Sequence, residues 1–86
     1  MIIALDHDET YTKDPELFDS FIELCKARKH IVVIVTYRKP EQKIDHSIEV
    51  FYTSGKPKAE YMREQCFEPD IWIDDWPELI GKTRWM

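Results

Sequence analysis

The chain has 86 residues, a hydrophobic fraction of 43% and a formal charge of −5. These totals suit one small globular domain, residues 1–86, and exclude a disordered chain. Two glycines leave no glycine-rich nucleotide cradle, no stretch nears the ~20 apolar residues that span a bilayer, and the acidic balance argues against a general nucleic-acid binder.

Ile2-Ile3-Ala4-Leu5 reads as a buried strand that runs straight into Asp6-His7-Asp8-Glu9-Thr10. No basic region precedes the apolar run, which predicts no secretory leader. Apolar residues then recur at Leu17, Phe18, Phe21, Ile22, Leu24 and Cys25, close to helical spacing. Asp14 suits the N-cap and Pro15 the first helical position, while Lys26, Arg28, Lys29 and His30 suit the C-terminal end of the dipole. This predicts a helix over 15–29. Ile31-Val32-Val33-Ile34-Val35 is β-branched without polar alternation, the pattern of a strand buried on both faces. Thr36-Tyr37-Arg38-Lys39 follows it. A short helix is predicted over 40–45, and a third strand over 48–52. Pro57 opens a helix carrying Ala59, Tyr61, Met62 and Cys66. Ile71-Trp72-Ile73 reads as a fourth strand ending in Asp74-Asp75, with Trp72 packed against a helix. Residues 77–86 add a helical turn or a tail.

Strands alternating with helices define an α/β fold: right-handed crossovers and one parallel sheet with helices on both faces. Cys25 and Cys66 are isolated in predicted helices, as small buried hydrophobes of a reducing, cytoplasmic compartment would be. No Cys or His pair has zinc-ligand spacing. His30 and His46 read as surface residues.

The strand ends concentrate the chemistry. An open parallel sheet places its ligand site at the carboxyl ends of its strands. There this chain has Asp6 and Asp8, Thr36, Lys56 or Lys58, and Asp74 and Asp75. Two carboxylates two positions apart repel unless a cation or a proton lies between them. Clustered carboxylates suit a hard, oxygen-loving cation such as Mg²⁺. One Asp can attack phosphorus and another can move a proton. A hydroxyl and an ammonium can steady the phosphoryl oxygens. Each residue also has a plain reading: Asp6-His7-Asp8 as a solvated turn, Thr36 as a strand-end hydroxyl, Asp74-Asp75 as a helix cap, and Arg38-Lys39 as a solvated loop. For His7 a structural role is favoured over a catalytic one. Trp76 is assigned to edge packing, with stacking on a base or ring as the alternative.

Taken in order, these residues resemble the four motifs of the haloacid dehalogenase (HAD) superfamily of phosphatases. Asp6-His7-Asp8-Glu9-Thr10 is similar to its DxDxT signature, Thr36 to the second motif, a lysine opening a helix to the third, and Asp74-Asp75 to the acidic fourth. The resemblance implies a small Rossmann-like fold with sheet order 4-1-2-3. It implies a phosphomonoester hydrolase that works through an aspartyl-phosphate on Asp6, with Asp8 as general acid/base. Thr36 and Lys58 would hold the transferring group, with Thr10, Arg38 and Lys56 as further phosphate contacts. Mg²⁺ would sit on Asp6, Asp8 (through its backbone carbonyl) and one of Asp74 and Asp75. Lys58 is preferred to Lys56 as the motif lysine because it lies within the first helical turn. Only 11–14 separate the first motif from the first helix, and 37–55 are used up by a short helix and a strand, so no cap domain fits. The implied partner is a phosphorylated substrate, small or macromolecular, such as a nucleic-acid 3′-phosphate, which the net charge does not favour. The Trp85-Met86 end folds back on the sheet or meets a second copy of the chain; no membrane partner is expected. The rival reading is a non-catalytic phosphate- or metal-binding module on the same fold.

Overall fold

The computed structural model describes residues 1–83. Its elements are β1 (Ile2–Leu5), α1 (Pro15–Ala27), β2 (Ile31–Thr36), β3 (Val50–Tyr52), α2 (Lys58–Glu64) and β4 (Ile71–Ile73), with single 3₁₀ turns at Tyr11–Lys13 and Pro77–Leu79. The four strands form one parallel sheet in the order β3-β2-β1-β4, the expected 4-1-2-3 read from its other edge. In register, Leu5 lies between Ile34 and Ile73, and Thr36 lies beside Tyr52.

The two unbroken apolar runs take the centre of the sheet, where both faces are covered. Side chains alternate across it. Ile3, Leu5 and Val32 pack with Ile22 and Cys25 of α1 on one face. Ala4, Val33 and Val35 pack with Met62 of α2 on the other, where Trp72 joins them. Each fully buried Val, Leu, Ile or Met among them contributes roughly 1.5–3 kcal/mol on burial. No helix among the described residues is long and apolar enough to cross a membrane.

Both helices stop earlier than the periodicity predicts, and for one reason. The Asp14 carboxylate accepts from the Leu17 N–H at the start of α1. At its end Lys29 turns left-handed (φ 64°), and the His30 N–H reaches back to the Cys25 carbonyl. In α2, Cys66 does the same (φ 55°), with the Phe67 N–H on the Met62 carbonyl. These six-to-one bonds close the helices in Schellman fashion. Cys66 is therefore an exposed residue outside the helix rather than a buried hydrophobe within it; Cys25 is buried, and both are free thiols.

The helix expected over 40–45 does not form. Ile44 is its one buried residue, so a helix there would have no apolar face. Local bonds take its groups instead: the Gln42 side chain accepts from the Lys39 N–H, the Gln42 carbonyl accepts from Arg38, and the Ile44 N–H donates to the Tyr52 hydroxyl. The third strand starts at Val50 because the Ile48 N–H donates to His46 Nδ1. His46 is not a surface residue. Its side chain is 11% exposed and its Nε2 meets Asp19 at 3.0 Å, fastening the 37–49 segment to α1. The Trp85-Met86 expectation falls outside the described residues.

Candidate functional site

The parallel sheet delivers Asp6, Thr36 and Asp74 to one edge, each at or just past the end of its strand. The Asp6 N–H donates to the Ile73 carbonyl at 2.9 Å, which locks the start of the first motif to β4. The chain then curls back on itself. Glu9 takes a left-handed conformation (φ 66°), and the Thr10 and Tyr11 N–H groups bond the His7 and Asp6 carbonyls. That turn places the Thr10 hydroxyl 2.9 Å from Asp6 Oδ2 and 3.2 Å from Asp75 Oδ1, while the Asp75 N–H donates to it at 3.2 Å. Thr10 thus ties the Asp6–Thr10 turn to Asp75, and its hydroxyl is committed to carboxylates.

On the other side of Asp6 stands Lys58, which is 1% exposed. Its ammonium donates to Asp6 Oδ1 at 2.8 Å and to Asp74 Oδ2 at 2.5 Å. The α2 backbone that carries it is secured by the Ala59 N–H on the Ile80 carbonyl at 2.8 Å. Gly81 makes that close approach feasible. It sits at φ 79°, and a Cβ there would lie 3.1 Å from Pro57 Cβ. Lys56 goes elsewhere: its ammonium is held by both carboxylate oxygens of Glu64 rather than by Asp6 or Asp74. Of the two candidate lysines, the fold brings only Lys58 to the cluster.

Asp6, Asp74 and Asp75 place one oxygen each within 4.8 Å of one another, the one such acidic group among the described residues. Three carboxylates facing one ammonium leave negative charge uncompensated, and an all-oxygen donor set of this size fits a Mg²⁺ ion. The strain registers on Asp6. Burial pushes its carboxyl up to about 6, Lys58 pulls it back down, and Asp75 and Asp74 raise it further.

Asp8 is not part of that trio. The Arg38 guanidinium grips both its oxygens, Nε to Oδ2 at 2.9 Å and Nη2 to Oδ1 at 2.7 Å. Arg38 holds the Asp8 carboxyl below the ordinary range, against a smaller opposing effect of burial. Nη1 also donates to the Gln42 carbonyl, and the Arg38 N–H donates to Thr36 Oγ1. Thr36 is buried under this corner at 1% exposure. His7 lies beside Asp8 (Nδ1 to Oδ1, 3.4 Å) and stacks on Tyr11, a packing role.

A cavity of about 230 Å³ opens over the cluster, with Asp6, Asp8, Thr36, Lys58, Asp74 and Asp75 in its walls. A larger hollow of about 450 Å³ lies beside α1 near Asp19 and His46, away from the strand ends.

Sequence reasoning assembled this set from the strand-end rule and expected Arg38 to contact phosphate; in the structure its guanidinium is on Asp8. It did not foresee that Arg38 closes on Asp8, thirty residues away, or that Thr10 bridges two carboxylates. The basic residue just after Thr36 was the available signal for the first. No family model, curated protein or solved structure matches the chain.

Proposed function

We propose that this chain is a Mg²⁺-dependent phosphomonoester hydrolase of the capless HAD type, with Asp6 as nucleophile. The observation that carries the reading is the buried Lys58–Asp6 pair, set against Asp74 and Asp75 at the strand ends. Asp6, Asp74 and Asp75 are the residues that would hold the ion. When bound, Mg²⁺ would neutralise phosphate charge and relieve the repulsion at the nucleophile.

The residues divide the remaining work. An Asp6 oxygen attacks phosphorus as the ester P–O bond breaks, giving an aspartyl-phosphate. Asp8, an ionised carboxylate while Arg38 grips it, takes up a proton from solvent once released, gives it to the leaving oxygen, and then takes one from the water that attacks phosphorus. Phosphate departs, and the Asp6 carboxylate and the Asp8 acid are restored. Lys58 and the Thr36 hydroxyl steady the equatorial oxygens. Arg38 must release Asp8 for the proton steps, and a phosphoryl dianion in the cavity is the group that draws the guanidinium away.

The test is hydrolysis of para-nitrophenyl phosphate with Mg²⁺, wild type against Asp6→Asn. The expected loss is about a thousandfold or more in kcat. A wild type inert on a broad phosphoester panel, or a variant of equal activity, would falsify the reading. The Arg38 grip on Asp8 favours one alternative, a module that binds phosphate without turning it over. Calorimetry showing Mg²⁺-dependent phosphate binding by a catalytically silent wild type would select it.

A further inference from the structure

The same cavity is also lined by residues of a different kind. Trp76, Tyr37 and Leu79 line it together with Asp6, Lys58 and Asp74. Trp76 is 57% exposed, so most of its ring still faces water. A lone exposed apolar residue is ordinary. What sets Trp76 apart is its attachment. Its N–H is fixed to Asp74 Oδ1 at 2.9 Å, and Pro77 starts the next turn immediately after it. The ring therefore hangs from a backbone anchored in the carboxylate cluster. Tyr37 is anchored on the opposite strand end, where its carbonyl accepts from the Gly55 N–H at 3.0 Å.

We infer that the site selects phosphomonoesters whose leaving group carries a flat aromatic ring, with Trp76 and Tyr37 as the surfaces it stacks on. The inference deepens the hydrolase reading and rests on it. A phosphoryl group held at the acids would share the cavity with its ester substituent, and Trp76 and Tyr37 line that same cavity. An aryl ring or a nucleobase buries the indole face there, whereas a short alkyl group leaves it wet.

Non-hydrolysable phosphonates separate the two ideas. Phenylphosphonate and methylphosphonate are titrated into the Mg²⁺-loaded protein by calorimetry. Phenylphosphonate is expected to bind about tenfold tighter. Trp76→Ala should bring the ratio of the two affinities to near one, and Trp76→Phe should keep most of it. A ratio that does not depend on the ring, in wild type or in Trp76→Ala, overturns the inference while methylphosphonate binding leaves the phosphoryl site standing. No binding by either ligand overturns both. If Trp76→Ala alters the association state and keeps the ratio, the residue belongs to an interface between copies and the inference falls. Turnover of phosphotyrosine against a nucleoside 5′-monophosphate then assigns the ring, and preference for either over glycerol phosphate supports the inference.

Discussion

Asp6 carries two opposed demands. In the nucleophile's role proposed for it, it must be ionised, yet burial among other acids pushes this carboxyl up to about 6. The folded, metal-free protein keeps a proton on Asp6 that the unfolded chain releases near 4. Stability therefore falls as pH rises through that window, and the loss is complete above about 6. Thermal melts between pH 4 and 7 should show this fall, and Asp6→Asn should flatten it. A cation competes with that same proton. Mg²⁺ affinity is expected to rise about tenfold from pH 5 to pH 7, read by calorimetry, since the ionised fraction of a group titrating near 6 changes by that factor.

Lys58 meets the converse demand. Its ammonium is buried against Asp6 and Asp74, and removing one partner of a buried pair strands the others, at a cost of about 3–5 kcal/mol. Lys58→Met should lower the melting temperature sharply, and Mg²⁺ should restore part of the loss by taking over the charge compensation. A variant that melts like the wild type without Mg²⁺ would show that the pair contributes nothing net. At this scale the sequence was informative about which residues meet and silent about how they pair. Position after a strand is a local property, so Asp6, Thr36 and Asp74 could be read from the chain. The grip of Arg38 on Asp8 depends on the path of 37–49, whose irregular bonds have no periodic signature.

At the level of elements, legibility follows the amount of apolar surface each segment buries. β1 and β2 are central, continuous and β-branched or aliphatic, and the runs 2–5 and 31–35 fall within their observed bounds. α1 has a cap, a proline and an apolar stripe, so its start is where those signals place it. Its end was misplaced because Lys29 turns left-handed without being glycine or asparagine. The 40–45 segment failed as a helix because proline and polar spacing alone do not bury anything. The Asp14 cap offers a direct check on this view of α1. Asp14→Ala should cost about 1 kcal/mol in denaturant unfolding, with Asp14→Asn losing much less.

For the whole molecule, the candidate site doubles as a structural knot. Thr10 joins Asp6 to Asp75, Lys58 joins α2 to the ends of β1 and β4, and His46 joins 37–49 to α1. A ligand bound there braces every strand end but that of β3. At a hundredfold excess over its dissociation constant, an ion that binds only the folded state adds about 2.7 kcal/mol. In a chain this small that is a rise in melting temperature of roughly ten degrees or more. Scanning fluorimetry with Mg²⁺ should show it, and Asp75→Asn should reduce it by removing one of the three carboxylates.

The bond from the Ala59 N–H to the Ile80 carbonyl has a consequence in time. A ribosome makes Asp6 before the other elements of this fold, so the surroundings of that carboxylate are completed only later. β4 arrives with 71–73, its two acids next, and the clasp on the lysine helix only with residue 80. Until then Asp6 has neither its edge strand nor a secured ammonium. The earliest catalytic candidate to be synthesised is the last to be finished, so the unassembled acids stay in water until the whole fold can neutralise them.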